Sequence, residues 1–555
     1  MTEHMEFADQ LAGYVESEHP EFLVNKLYYD AYKKDMAAGT YPDVRSGLQK
    51  LLKDGLLLFN YTGHGGTTAL SDEKVLTQTD INQFTYTHLP VWVTATCDFT
   101  RFDDLNTSAG EDVFLNKSSG GIALFTTVRV AYSRPNFPIN DNVIRNLFER
   151  NNGRRRTLGE VMQATKNTLS SVYKLGFCLI GDPAVKMAYP EFGMKVTTVN
   201  GQAVDENSIS FKALEKITVE GEVLDASGQL VTDFTGIVNP TVKDSKVTVT
   251  CLKNSNKDDT PAFTFTDYPN TIFIGNDSVR NGKFSFTFTV PKDISYSNLQ
   301  GKMNLYAVDT ENGHEAQGNF DNFIVGGTSD TAETDTIGPE IRALYLNDTT
   351  FVDGGQVNTT PYFVAELWDK SGVNITGSSV GHDMMLVIDE STVLSYNLNS
   401  YYELLPGEEG AGIVKFPIPA LEPGKHTAEF WVWDIQNNST VRTFTFEVVE
   451  GLKPFLFDVI ATPGIAREQV TFHLMHNRPE SRMRVGIMVY DLAGRQLWKH
   501  EESGTSGLFE NYTVSWDLTC GGARMRPGVY IYRAAISTDN SKDATKARKF
   551  IILGE

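Results

Sequence analysis

Residues 56–66 read LLLFNYTGHGG, and residues 90–99 read PVWVTATCDF. In each stretch a short apolar run leads into a loop with one reactive side chain, His64 in the first and Cys97 in the second. Parallel strands that are covered on both faces read as continuous apolar runs rather than as alternating ones. The two stretches therefore predict buried strands of a mostly parallel sheet.

The rest of residues 1–190 alternates between helix and strand patterns. Apolar stripes predict a helix over Thr2–Glu16, a second helix with Asp43 as N-cap and Gly55 as its end, a third around 143–148 and a fourth after a capping box of Thr157 and Glu160. Further strands are predicted at 22–29, 122–127 and 177–180. This order predicts an α/β fold for residues 1–191.

After about residue 192 the pattern changes to that of β-sheet proteins. Phe284, Phe286 and Phe288 alternate with polar residues, as in a half-buried strand, and turn residues recur at short spacing. The polar stretch 326–339 is interpreted as a linker. The predicted organisation is therefore a multidomain chain: an α/β domain, then a β-sandwich domain at 192–330, an Ig-like β-sandwich domain at 337–450 and a C-terminal β-sandwich domain at 453–555.

Composition excludes some classes of function. The chain has 555 residues and a net charge of −21, which is the opposite of the basic footprint that a nucleic-acid partner requires. No apolar run approaches the ~18 residues of a membrane-spanning helix. The four cysteines are scattered without a CxxC pair, so we predict neither a metal site nor a cofactor. The N-terminal residues lack the basic and apolar regions of a secretory signal.

His64 and Cys97 carry the chemistry that we infer from the residues. Sites in open α/β sheets lie beyond the carboxyl ends of the strands, so both side chains belong at one edge if their strands are neighbours. An imidazole can take the proton of a thiol, and the thiolate can attack a carbonyl carbon. The backbone N–H groups of Gly65 and Cys97 are suited to stabilise the resulting oxyanion. The pattern predicts nucleophilic acyl transfer.

Other interpretations of these motifs stay open at this point. A single cysteine is most often a small apolar core residue, and we assign that role to Cys178, Cys251 and Cys520. Residues 377–381 read GSSVG and precede His382, which matches the nucleophile elbow of serine hydrolases. That elbow requires a strand and a helix around it, whereas this region has β patterns only, so we predict a turn.

Several stretches of residues 1–190 resemble the gingipain-type cysteine peptidases, family C25. The stretches are NYTGHG at 60–65, the strand that ends at Cys97, GGIA at 120–123 and LIGDP at 179–183. The stretches ATCDFTRFDD at 95–104 and TVRVAYS at 127–133 look most like the sortase members of the family, which act in the type IX secretion system of Bacteroidetes. The resemblance implies a caspase/gingipain-like α/β fold, His64 as the dyad histidine and Cys97 as the nucleophile.

The resemblance also implies a substrate and partners. A sortase of this kind cleaves the C-terminal signal from secreted proteins that bear C-terminal sorting domains, and it can pass the acyl group to an amine of anionic lipopolysaccharide. Members of the family also bind an outer-membrane barrel of the PorV type. We therefore expect a location at the cell surface or outer membrane of a Bacteroidetes-type bacterium.

The last predicted domain resembles the C-terminal sorting domain of type IX cargo. The similar stretches are VYDLAGR at 489–495, WDL at 516–518 and PGVYIY at 527–532. The usual Pro-Asn-Pro near the start of such domains is replaced here by ATPG at 461–464. We expect this departure to disfavour removal of the domain, which would then retain the protein on the outer membrane.

The family also has a large N-terminal region before the point at which this sequence starts. We therefore expect the chain to be an N-terminally truncated form of an exported protein. The acidic residue that orients the family's histidine would lie upstream, so we assign no third catalytic residue. Two rival functions remain: a secreted gingipain-like protease that cleaves at Arg or Lys, and a catalytically inert, surface-displayed β-domain protein.

Overall fold

The computed structural model describes all but a few short segments, and the described residues divide into two compact units. The residues outside the description are 1, 85, 118, 152, 206–207, 255–260, 331–333, 378–380, 406–407, 409, 539 and 555. The first unit comprises residues 1–211, 217–288 and 295–327, and the second comprises 212–216, 289–294 and 328–555.

The first unit begins with the α/β part of the chain. Its helices are α1 (Thr2–Glu18), α2 (Pro42–Asp54), α3 (Gln78–Gln83), α4 (Ala109–Leu115), α5 (Ser133–Phe148) and α6 (Leu158–Thr168), with 3-10 turns at Tyr29–Ala31 and Val172–Gly176. Its strands are β1 (Leu58–Thr62), β2 (Ala69–Leu70), β3 (Leu76–Thr77), β4 (Val91–Ala95), β5 (Ala123–Thr127), β6 (Arg150–Asn151), β7 (Arg154–Arg155) and β8 (Phe177–Ile180).

The central sheet has the strand order β1-β4-β5-β8, and its first three strands run parallel. Strand β8 pairs with β5 in the antiparallel direction. Val91 and Val93 of β4 pack into an apolar cluster that includes residues of α1, α5 and α6, whereas Trp92 joins a cluster that includes residues of α2, α3 and α4. Helices thus cover both faces, which explains the continuous apolar runs, and the predicted mostly parallel α/β fold is confirmed.

Two local predictions are wrong. Residues 22–28 form no strand: where the segment begins, the chain binds side chains instead of the backbone of a neighbouring strand. Lys302 donates to the carbonyl of Phe22, and Asn304 donates to those of Pro20 and Glu21 just before it. Helix α2 begins at Pro42 rather than after Asp43, because proline at the first helical position has its backbone preset for a helix.

Two other helix signals in this part of the chain are confirmed. Gly55 ends α2 with a φ of 101°, a backbone conformation that glycine adopts without steric cost. Thr157 and Glu160 form the predicted capping box at the start of α6, in which Thr157 accepts a hydrogen bond from the backbone N–H of Glu160.

The remaining strands up to residue 328 continue the first unit, except for the short segments assigned to the second. They are β9 (Phe192–Val199), β10 (Gln202–Ala203), β11 (Ile209–Ala213), β12 (Lys216–Leu224), β13 (Gly236–Lys243), β14 (Val247–Thr250), β15 (Thr264–Asp267), β16 (Thr271–Ile274), β17 (Asp277–Arg280), β18 (Lys283–Thr289), β19 (Leu299–Gln300), β20 (Lys302–Asp309), β21 (Glu315–Phe320) and β22 (Phe323–Thr328). Phe284, Phe286 and Phe288 are buried at alternate positions of β18, as their spacing predicts.

The second unit consists mainly of two sandwich-like groups of strands. The first group is β23 (Glu340–Leu346), β24 (Gln356–Val357), β25 (Tyr362–Trp368), β26 (Met385–Ile388), β27 (Ser395–Asn397), β28 (Tyr402–Leu404), β29 (Ala411–Pro417), β30 (Gly424–Trp433) and β31 (Ser439–Val448), with a 3-10 turn at Asn399–Tyr401. The second is β32 (Leu456–Thr462), β33 (Ile465–Ala466), β34 (Val470–His476), β35 (Met483–Tyr490), β36 (Gln496–Gly504), β37 (Tyr512–Trp516), β38 (Thr519–Cys520), β39 (Ala523–Arg524), β40 (Gly528–Ser537) and β41 (Ala544–Ile552).

Each group has its own core. In the first, a four-stranded and a five-stranded sheet share one apolar cluster, and in the second a three-stranded and a five-stranded sheet do. The α/β region followed by β-sheet domains is thereby confirmed, while the exact domain boundaries stay predictions. None of the described helices is both long enough and apolar enough to cross a membrane.

Candidate functional site

Strand register places His64 and Cys97 at the same edge of the central sheet. Strands β1 and β4 are parallel neighbours, and their last registered pair is Thr62 with Ala95. The offset in that pair is 95 − 62 = 33, and the offset between His64 and Cys97 is also 97 − 64 = 33. Neighbouring strands lie about 4.8 Å apart. The chain therefore leaves the sheet towards both residues side by side, and the predicted adjacency of the two strands is confirmed.

The main chain of His64 is held firmly while its ring faces solvent. Its carbonyl oxygen accepts hydrogen bonds from the Tyr61 hydroxyl at 2.6 Å and from the Ser71 N–H at 2.8 Å. The side chain is exposed. The fold thus fixes the position of the backbone and leaves the imidazole accessible to a second reactant.

Gly65 makes the closest approach between the two loops. A Cβ atom at Gly65 would lie 2.5 Å from Oγ1 of Thr96, the residue before Cys97, so a side chain cannot fit without displacement. Gly65 also forms an antiparallel bridge with Leu70, in which the flanking hydrogen bonds come from Gly66 and Ser71. The N–H of Gly65 is therefore directed away from Leu70, as required of an oxyanion donor.

Cys97 is half-buried, and its thiol contacts the main chain of Ala131. The Sγ atom donates to the Ala131 carbonyl at 3.1 Å and accepts from the Ala131 N–H at 3.4 Å. The thiol therefore lies against the loop that follows β5.

Hydrogen bonds hold the loop that carries Cys97 against β5 and the residues after it. The backbone N–H of Thr100 donates to Thr127 at 3.1 Å, and that of Asp98 donates to Arg129 at 3.3 Å. The Thr127 hydroxyl also donates to the carbonyl of Thr96. These bonds fix the nucleophile loop along its length, which is the preorganisation that an attacking group needs.

Strain and unsatisfied polar atoms occur on both sides of Cys97. Asp98 has a φ of 50°, in the left-handed region that costs a non-glycine residue energy. Oγ1 of Thr96 and Oδ1 of Asp98 are buried without a hydrogen-bond partner. Native structures retain few such groups, and those that persist are concentrated at functional sites. The surroundings of Cys97 thus fit a site better than a core position.

An alkylating reagent should react faster with the thiol of Cys97 than with that of Cys251. Burial raises the pKa of the Cys251 thiol to about 11, so only about one molecule in ten thousand carries a thiolate there at pH 7. We expect iodoacetamide to label Cys97 well before Cys251 near neutral pH, as measured by peptide mass mapping over time. Equal, slow labelling of both thiols would contradict the assignment.

Sequence reasoning missed one residue at this site. The ring of His4, in α1, lies edge-to-face with the ring of His64, with 5.0 Å between centroids and 79° between planes. Nothing in the sequence around His4 marks it, because the contact joins segments 60 residues apart. The sequence analysis assigned no third residue beside His64 and Cys97, and the contact supplies a candidate.

The competing motif around residues 377–382 lies partly outside the described residues, since 378–380 are not described. His382 itself packs within the second unit. Its Nδ1 lies 2.7 Å from Oδ2 of Asp293, and its ring lies 4.5 Å from that of Trp433. His382 thus has a carboxylate partner and an aromatic neighbour of its own, far in sequence from the α/β domain.

One group of carboxylates in the described part of the chain is close enough to share a cation. Oxygen atoms of Asp335, Asp369 and Asp434 lie within 4.8 Å of one another in the second unit. Burial raises the pKa of Asp369 and of Asp434. Both carboxylates accept backbone hydrogen bonds from nearby turns, so the group also has a purely structural role as turn-forming aspartates.

Comparison with known proteins relates the α/β part of the chain to a family of peptidases. Residues 1–188 match the family model named Peptidase family C25. This part of the chain is similar to peptidase family C25 over its whole length. The resemblance to this family that the sequence predicts is thereby confirmed for residues 1–188. None of the curated proteins that were compared matches the chain.

Similar solved structures include members of that peptidase group. Dimeric latent PorU from Porphyromonas gingivalis is 36% identical over 79% of this chain and 41% of the PorU chain, with a TM-score of 0.33. The Arg-specific cysteine proteinase gingipain R (RgpB) is 19% identical over 51% of this chain and 56% of its own, with a TM-score of 0.25. A complex of the Porphyromonas gingivalis RgpB pro- and mature domains is 18% identical, over 51% and 57%, with a TM-score of 0.25. The chain thus spans less than half the length of the PorU chain it matches.

Proposed function

We propose that this chain carries a cysteine endopeptidase and transpeptidase site that cleaves C-terminal sorting signals from secreted proteins. The observation that carries the proposal is the common register of β1 and β4, which brings the loops of His64 and Cys97 to one edge. In this account Cys97 is the nucleophile and His64 is its base. Similarity of residues 1–188 to a family of peptidases supports the choice of peptide bonds as the substrate.

The reaction proceeds in two stages. The thiol proton of Cys97 passes to His64, and the thiolate attacks the carbonyl carbon of the peptide to form a C–S bond. The N–H groups of Gly65 and Cys97 stabilise the oxyanion. When the C–N bond breaks, His64 returns the proton to the leaving amine, and a thioester on Cys97 remains.

The thioester determines whether the outcome is hydrolysis or transfer. Attack by water releases an acid and restores the thiol, whereas attack by an amine forms a new amide bond and restores the same thiol. Both routes use one intermediate, so a single site can cleave a sorting signal and attach the new carboxyl end to an amine of anionic lipopolysaccharide. We propose this surface glycolipid as the acceptor, and a PorV-type outer-membrane barrel as the partner at the cell surface.

The choice of sorting signals over basic residues rests on sequence similarity around 95–104 and 127–133. Asp103 does not offer a free carboxylate to an Arg or Lys side chain of a substrate, because Arg129 binds it with N–O distances of 3.0 and 2.6 Å. The loop at Ala131 exposes the apolar side chains of Val130 and Tyr132, at 60% and 62%.

Cleavage of matched substrates tests the proposal. A purified cargo protein with its C-terminal sorting domain, and short peptides with Arg or Lys before the cleaved bond, are incubated separately with the protein and analysed by mass spectrometry. We expect release of the sorting domain at one junction and little turnover of the basic peptides. Rapid cleavage after Arg or Lys would favour the gingipain-like alternative, and no cleavage of either would favour the inert one.

A further inference from the structure

The first turn of α1 contacts His64 and the start of α5. His4 lies against the ring of His64, as described above. Its neighbour Glu3 accepts hydrogen bonds from the Ser133 hydroxyl at 2.9 Å and from Nε of Arg134 at 2.6 Å. Ser133 and Arg134 follow Ala131, whose main chain contacts the Cys97 thiol. One helical turn thus contacts the imidazole directly, and it also binds the start of α5, which follows the main chain at Ala131 that contacts the thiol.

Helix α1 is a rigid base for these contacts. Leu11 and Val15 are buried in the apolar core of the α/β part. The ammonium group of Lys26, almost completely buried, lies 3.0 Å from a carboxylate oxygen of Asp9 and 3.3 Å from one of Glu16. A group on the first turn of this helix is therefore held in place by packing and by ion pairs further along it.

The two imidazoles differ in their surroundings. His64 is exposed, whereas His4 is half-buried and its Nδ1 is buried without a hydrogen-bond partner. Burial, and after it the neighbouring His64, lowers the pKa of His4, while Glu3 acts in the opposite direction. These surroundings disfavour a positive charge on His4.

We propose that His4 is a positioning residue for His64: its ring holds the exposed imidazole in the orientation that accepts the thiol proton of Cys97. The inference rests on the proposed function, in which His64 is the base for Cys97. An exposed ring samples several rotamers, and an edge-to-face contact with a fixed ring restricts them. Proton transfer depends on that orientation, because a base must lie within hydrogen-bond reach of the proton it takes.

The test compares His4→Ala, which removes the ring, with His4→Phe, which keeps a ring for the contact. Glu6→Ala is the matched control, because Glu6 is exposed on the same helix. For each variant we measure the alkylation rate of Cys97 by iodoacetamide at pH 7, kcat and KM for cargo cleavage, and the thermal unfolding curve.

We expect His4→Ala to lower both the alkylation rate and kcat by about tenfold, as for a base that is partly misplaced, with KM little changed. His4→Phe should recover most of the loss, and Glu6→Ala should match the parent protein. The inference is overturned if folded His4→Ala is alkylated at the parent rate, or if His4→Phe is as slow as His4→Ala. Alkylation needs no substrate, so this result stands apart from whether cargo is cleaved, which decides the proposed function.

Discussion

Replacing Cys97 by alanine is expected to lower the rate of cargo cleavage by about four orders of magnitude or more. The substitution removes the only atom that forms the acyl-enzyme in this account, and loss of a covalent nucleophile has effects of this size in other hydrolases. The measurement is single-turnover cleavage of a cargo protein with excess enzyme, followed by mass spectrometry of the two products.

The control for this variant is Cys520→Ala, which removes a thiol of the second unit that donates to a backbone carbonyl. This control should cleave cargo at the parent rate. Residual cleavage by Cys97→Ala within tenfold of the parent would assign the chemistry to another group and would remove the basis of the peptidase mechanism.

Replacing Gly65 by alanine is expected to lower kcat by about a hundredfold. The added Cβ would meet the Thr96 side chain at 2.5 Å, so the loop of His64 must move away from the loop of Cys97. A displacement of about 1 Å at a reacting centre costs about two orders of magnitude in rate. The measurement is steady-state cleavage of cargo, with the unfolding curve recorded to show that the variant is folded.

Gly66→Ala is the matched control, because no atom of the neighbouring structure lies within 4 Å of a Cβ at that position. It should retain most of the parent activity. Equal loss of activity in the two alanine variants would contradict this prediction. It would show that the site depends on the flexibility of both glycines and not on the close approach of Gly65 to Thr96.

The sequence predicts the arrangement of the sheet well, for a clear physical reason. Strands covered on both faces read as mostly apolar runs, so the runs that end before His64 and Cys97 indicate strands of such a sheet. The capping box at Thr157 is similarly explicit, because both of its partners lie within one helical turn. Signals that are local in sequence, or repeated along a strand, can be read without coordinates.

Contacts between distant segments leave no such signal. The segment 22–28 has an apolar pattern that fits a strand, but the chain at its start, at Pro20 and Phe22, binds side chains of β20. The approach of His4 to His64 and the contact of the Cys97 thiol with Ala131 depend on how α1 and the loop after β5 pack against the sheet. Ala131 contacts the thiol through its main chain, so its residue type does not identify it as a partner of Cys97.

The most direct measurement of the central claim is the pH dependence of Cys97 alkylation in the parent protein and in His64→Ala. An isolated thiol reacts in proportion to its thiolate, with a midpoint near pH 8.5. The account predicts that the parent reacts faster than His64→Ala at pH values below that midpoint, because the imidazole takes the thiol proton. Superimposable curves for the two proteins would show that the imidazole at 64 does not act on the thiol at 97, and would contradict the account.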